Sequence, residues 1–241
     1  MIMENSEAGF VAPVDTKEII HVKKHSIVAM AAVLGLGLTA VIAGSATATG
    51  AGAPQNITVN AGFGSRHPDP TAFLPKVPSF TLTSTTVRNG HQMPTDQRSG
   101  IFGAPGGKDI SPQLSWRGFP AATKSFVVSM YDPEAPTGSG FWHWVVANIP
   151  AGATSLPLNA GAPGSGTLPA GAVELNGDAG MPRYIGAAPP AGSGYHDYYI
   201  TVTALDVPTV DVTPNTSGAL LGFTIGGHTI ARATLVCPSR A

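Results

Sequence analysis

The chain has 241 residues, 13 Lys and Arg against 14 Asp and Glu, and a formal net charge of −1. Only 11% of residues are charged, and no basic cluster follows Lys23-Lys24, which argues against a nucleic-acid-binding surface. The single cysteine, Cys237, excludes an intrachain disulfide framework and a cysteine-built zinc site, so packing alone must hold the fold together.

Residues 27–43 form an apolar run, preceded by Lys23, Lys24 and His25 and followed by the small residues Ala46, Thr47 and Ala48. A basic lead, an apolar stretch and a small-residue exit make the pattern of an export signal cut after Ala48. An uncleaved membrane anchor is the alternative, although the run is short for one and contains Gly35 and Gly37. No cysteine follows the run to carry a lipid. Glu4, Glu7, Asp15 and Glu18 are foreign to an export signal, so translation is expected to start at Val22. The predicted organisation is an N-terminal extension with a basic lead (1–26), the hydrophobic and cleavage region of the signal (27–48), a Gly/Ala/Pro-rich linker (49–77) and one domain (78–241). Phe63, Phe73 and Leu74 are the side chains with which the linker would grip the domain.

Strand signals begin at residues 80–87, an alternating β-branched stretch ending near Asn89-Gly90. Residues 124–131 and 142–149 are apolar runs bounded by prolines and predict buried strands. Residues 198–205 and 229–236 predict two more, and 217–225 predicts one helix, capped by Asn215 or Thr216 and ended by Gly226-Gly227. With 30 Gly, 22 Pro and long loops where connecting helices would otherwise stand, the fold class is mostly β, an antiparallel sandwich with one or two short helices.

Two segments concentrate polar groups. Asp132-Pro133-Glu134-Ala135-Pro136 closes one strand, and Phe141-Trp142-His143-Trp144 opens the next; strict alternation would put His143 on the face opposite both tryptophans. The second segment, Pro189-Pro190-Ala191-Gly192-Ser193-Gly194, delivers His196 and Tyr198 to one face of a strand. Each piece alone reads as something ordinary: a proline turn, a core aromatic or a hydrogen-bonded structural histidine.

Together, in this order, these pieces resemble the phosphatidylethanolamine-binding protein family, and its bacterial, Raf-kinase-inhibitor-like branch most of all. Residues 84–94, Ser111-Pro112-Gln113-Leu114-Ser115-Trp116 and Thr203-Ala204-Leu205-Asp206 extend the likeness across about 78–236. The resemblance implies a β-sandwich with a small anion-binding pocket formed by Asp132, Glu134, His143, His196 and Tyr198, with Phe141 or Trp142 on its wall. Imidazole N–H groups suit a phosphate, carboxylates suit the ammonium of an ethanolamine headgroup, and a neighbouring carboxylate is expected to raise the histidine pKa. The pocket histidines are expected to be solvent-reached, so that replacing them costs little stability. Three departures stand out: Glu134 where the family usually has Asp, Asp197 where Arg commonly follows the pocket histidine, and an end at Ala241, before the C-terminal helix of animal members, which implies a more open mouth.

The function expected is therefore an exported protein, secreted or held in the cell envelope, that binds small anions or phosphorylated headgroups and modulates a protein partner. An inhibitor with a vestigial pocket is the first alternative. A His/Asp-dependent hydrolase is the second, disfavoured because no Gly-x-Ser-x-Gly elbow, phosphate-binding loop or His-Glu-x-x-His occurs. No catalytic residue, metal or cofactor is expected. Strand edges allow two copies to pair, and Cys237 is a candidate for an interchain crosslink.

Overall fold

The computed structural model describes residues 69–241. The predicted leader and most of the linker lie outside the described residues, all of which belong to the second unit of the chain, Val59–Ala241. Within the second unit the strands are β1 (Thr81–Thr83), β2 (Leu114–Arg117), β3 (Ser125–Asp132), β4 (Phe141–Pro150), β5 (Ser155–Leu156), β6 (Val173–Leu175), β7 (His196–Leu205) and β8 (Thr229–Ser239). One helix, α1 (Gly218–Ile225), precedes β8. No helix among the described residues is long and apolar enough to cross a membrane.

The strands form two antiparallel sheets, of order β1-β2-β5 and β6-β4-β3-β7-β8. Alternation along β3 and β7 sends Phe126, Val128 and Met130, with Tyr198, Ile200 and Val202, toward the small sheet. There they meet Leu82, Leu114, Trp116 and Leu156 in a closed core. The opposite face of the large sheet carries Val127, Val145, Ala147 and Leu205, covered by Leu221 of α1 and by Val210. Both faces of β3, β4 and β7 are thus buried, which is why their sequences read as continuous apolar runs.

Two bulges interrupt the β3–β4 ladder. Met130 pairs with Trp144 but Tyr131 pairs with Trp142, so His143 is the extra residue of the second bulge. The first involves Asn148, held at a φ of 57° with its side-chain amide bonded to the N–H and C=O of Val210.

Several expectations change at element ends. The stretch 80–87 is paired only over Thr81–Thr83, because the Ser84 hydroxyl accepts the N–H groups of Thr86 and Val87 and turns the chain. Helix α1 is capped by Ser217, whose hydroxyl accepts the Leu220 N–H, rather than by Asn215 or Thr216. Phe73 is 83% exposed and pins nothing.

The Cys237 thiol faces the core and is buried, so the interchain crosslink expected from sequence does not fit. Burial pushes its pKa up to about 12, which withholds the reactive thiolate. We expect a non-reducing gel without a disulfide-linked dimer, and thiol reagents that label Cys237 only on unfolding. Rapid labelling of the native protein would contradict this placement.

Candidate functional site

The inner faces of β3, β4 and β7 end together at one end of the sandwich. Asp132 is the last residue of β3, His196 the first of β7, and Phe141 and His143 open β4. Because Asp132 pairs with Phe141 across the ladder, the four side chains and Tyr198 share one corner. The His196 Nδ1–H donates to Asp132 Oδ2 at 2.8 Å, and its Nε2 lies 2.9 Å from Ser193 Oγ. The other oxygen of Asp132 accepts the Glu134 N–H, which locks the turn after β3. The His143 ring lies 4.8 Å from Phe141 and 5.1 Å from Tyr198, centroid to centroid.

His143 owes its inward direction to the bulge. With one residue too many opposite Met130, Trp142 turns outward while His143 and Trp144 both turn inward. The simple alternation that sets His143 against both tryptophans is thereby corrected. The bulged backbone is satisfied by the segment after Arg183: Ile185 N–H donates to the His143 carbonyl, and His143 Nδ1–H donates to the Ile185 carbonyl at 3.1 Å. Asp109 Oδ1 accepts the Gly186 N–H at 2.8 Å and steadies that segment from behind.

Burial sets the charge state of His143. His143 is 4% exposed, and burial lowers its pKa to about 4 against the upward pull of Asp132, Asp178 and the Ile185 and Gly186 carbonyls. The expected rise does not occur at His143. It is neutral at pH 7, with its proton on Nδ1 and a lone pair on Nε2. His196 is only 2% exposed, so the pair is buried and hydrogen-bonded rather than solvent-reached, and alanine at either position should destabilise the fold. Burial first, and then the Asp132 charge, raise the Tyr198 pKa and keep the phenol protonated; its oxygen accepts the Ala188 N–H. Asp197 is raised for the same two reasons.

The structure brings together Asp132, Phe141, His143, His196 and Tyr198. Glu134 stands at the edge of this group, its carboxylate accepting the Asp197 N–H at 3.0 Å and so tying the turn to β7. Trp142 does not join them: its ring packs at a tilt against Tyr131 on the outer face, beside Gly218 of α1, and of the two wall candidates only Phe141 faces the site. Sequence reasoning missed Ser193 and the Ile185 carbonyl. Glycines on both sides of Ser193 hint at a tight turn, but nothing in the local sequence shows where its hydroxyl goes. No cluster of His, Cys, Asp and Glu among the described residues is arranged to hold a metal.

A two-sheet antiparallel sandwich with a buried His/carboxylate cluster at one end defines the class of protein. The phosphatidylethanolamine-binding protein family profile matches residues 83–239, and the chain belongs to that family. It is 44% identical to the UPF0098 protein YbcL of Escherichia coli over 68% of this chain and 88% of YbcL. The crystal structure of YbcL superimposes with a TM-score of 0.65 at 42% identity, covering 68% of this chain and 99% of that one. YbhB of the same organism is 45% identical over 64% of this chain and 96% of its own length. A Mycobacterium tuberculosis protein bearing a lipoprotein name, LppC, is 29% identical over 67% of this chain and 80% of its own.

Proposed function

We propose that the protein binds small phosphate-bearing anions, phosphoethanolamine-like headgroups among them, in the pocket of Asp132, His143, His196 and Tyr198, and that it works outside the cytoplasm. The observation that carries this reading is the inward convergence of two imidazoles, one held by a carboxylate and one by a backbone carbonyl. His196, its Nδ1–H held by the Asp132 carboxylate, accepts at Nε2 the O–H of a protonated phosphate once Ser193 gives way. His143, neutral with its Nδ1–H committed to Ile185, presents an acceptor that suits a ligand hydroxyl or ammonium. A zwitterionic headgroup answers both. The leader pattern over 27–48 and the lipoprotein name of LppC support an extracytoplasmic site of action. Because the only cysteine is Cys237, a lipid thioether at the leader is not the route.

Titrating the full chain with phosphate and then phosphoethanolamine, while following histidine ring resonances, tests the proposal. His143 and His196 should shift together and saturate, with His91 and His228 unmoved; His196→Gln should abolish the response. If neither ring moves, the ligand reading fails. Modulation of a protein partner would then be the reading to pursue, in keeping with how little of either histidine is exposed.

A further inference from the structure

Ser193 completes an arrangement that anion binding does not require. Its Oγ lies 2.9 Å from His196 Nε2, while His196 Nδ1–H donates to Asp132 Oδ2 at 2.8 Å. A hydroxyl, an imidazole and a carboxylate therefore stand in line, joined through opposite nitrogens of one ring. We propose that Ser193, His196 and Asp132 form a nucleophilic relay, and that this pocket has acyl-transfer activity toward small esters.

The surroundings of each member fit its part. Asp132 is buried and also holds the Glu134 N–H, so it can orient the ring without swinging away. His196 is fixed at the start of β7, within a ladder to β8 that begins at Ser239. Ser193 is the partly exposed member, where an incoming ester can reach it. It ends a tight turn in which its N–H donates to the Pro190 carbonyl at 3.1 Å, and Gly192 takes a φ of 83° that a side chain would resist. The same carbonyl lies 2.8 Å from Ser193 Oγ, so rotation about the Cβ–Oγ bond moves the hydroxyl hydrogen between Pro190 and the His196 ring. Beyond the serine, the backbone N–H groups of Gly194 and Tyr195 make no hydrogen bond among the described residues, which leaves two adjacent donors for a developing oxyanion. Tyr195 is braced by the Arg240 guanidinium, 5.3 Å from its ring centre. Such relays are recognised by geometry and roles, and their members occur in any chain order.

The chemistry balances with water as the only co-reactant. Ser193 Oγ attacks the ester carbonyl carbon as its proton passes to His196 Nε2, and Asp132 stabilises the imidazolium. The tetrahedral adduct expels the alcohol, which takes that proton from His196 and leaves an acyl-serine. Water, deprotonated by the same nitrogen, attacks the acyl carbon. Collapse then releases the carboxylic acid and returns the proton to Ser193.

The test uses the full chain, a fluorophosphonate probe and p-nitrophenyl acetate. The probe should form a bond from phosphorus to Ser193 Oγ with loss of fluoride, located by the mass of the peptide containing Ser193. A positioned general base is worth roughly 10²–10⁴-fold. Wild type should therefore hydrolyse the ester at least about a hundredfold faster than Ser193→Ala, a substitution in an exposed turn whose fold is checked by its melting curve. Asp132→Asn should slow labelling at least about tenfold, because the ring then loses its fixed tautomer. Absence of label on Ser193, or equal hydrolysis by wild type and Ser193→Ala, would overturn the proposal. Neither readout depends on phosphate binding, so this activity and the anion-binding function can fail separately.

Discussion

Trp144→Ala is expected to cost about 3–5 kcal/mol of folding stability, enough to remove most of what holds a domain of this size together. The indole is fully buried between the sheets and meets Tyr184 edge to face, with ring centres 5.7 Å apart. Its Nε1–H donates to Glu174 Oε1 at 2.7 Å. Truncation would leave both a cavity and a sheltered carboxyl without its donor. Trp144→Phe separates the two losses, since it keeps most of the ring volume and removes only the N–H, at about 1–3 kcal/mol. Urea denaturation of the three proteins provides the comparison. A loss below about 1 kcal/mol for alanine would mean that this ring is not the centre of the core.

The second large effect is on acid stability. His143 has a folded pKa lowered by burial to about 4, against 6.5 in the unfolded chain. Above pH 6.5 the ring is neutral in both states and leaves stability unchanged. As pH falls below 6.5 the unfolded chain takes up a proton that the folded one refuses, so stability declines until about pH 4. At 1.36 kcal/mol per pH unit the loss reaches roughly 3 kcal/mol. Glu174 acts in the opposite sense: burial raises its folded pKa to about 7 from 4.5, against the Trp144 hydrogen bond and the Arg183 charge. Its contribution is greatest below pH 4.5 and is lost as pH rises toward 7. The two slopes oppose each other between pH 4.5 and 6.5. Between pH 6.5 and 4.5, His143→Gln should gain stability relative to wild type as pH falls, and Glu174→Gln should lose it, as read from denaturation midpoints. Parallel curves for all three proteins would refute both assignments.

The large sheet was legible in the sequence because β3, β4 and β7 are buried on both faces, and an apolar run of that length between prolines fits a doubly covered strand and little else. The small sheet was hardly legible. β1, β2 and β5 are short, and hydroxyl side chains such as Ser84 bend the backbone locally in ways that periodicity does not register. At the site, the ordered motifs led to Asp132, His143 and His196. The direction of Trp142 was lost because period-two reasoning has no place for an extra residue. Ser193 was missed because its partner lies in a ring whose orientation is fixed by β3, far away in the chain. His143 also titrates on the side opposite to expectation: the sequence shows that carboxylates stand near, but the depth of burial emerges only from packing.

The bulge at His143 bears on how such a cluster could be moved to another scaffold. Copying the site's side chains onto a regular strand would turn the imidazole to the opposite face of the sheet, because it is backbone length rather than residue identity that aims it. A transplant would have to carry the surplus residue together with the Ile185 segment that bonds to it front and back. Deleting one residue from the start of β4 should, by the same logic, erase the site while preserving its composition almost intact. Substitution can therefore retune this cluster, whereas the loss of a single residue ends it.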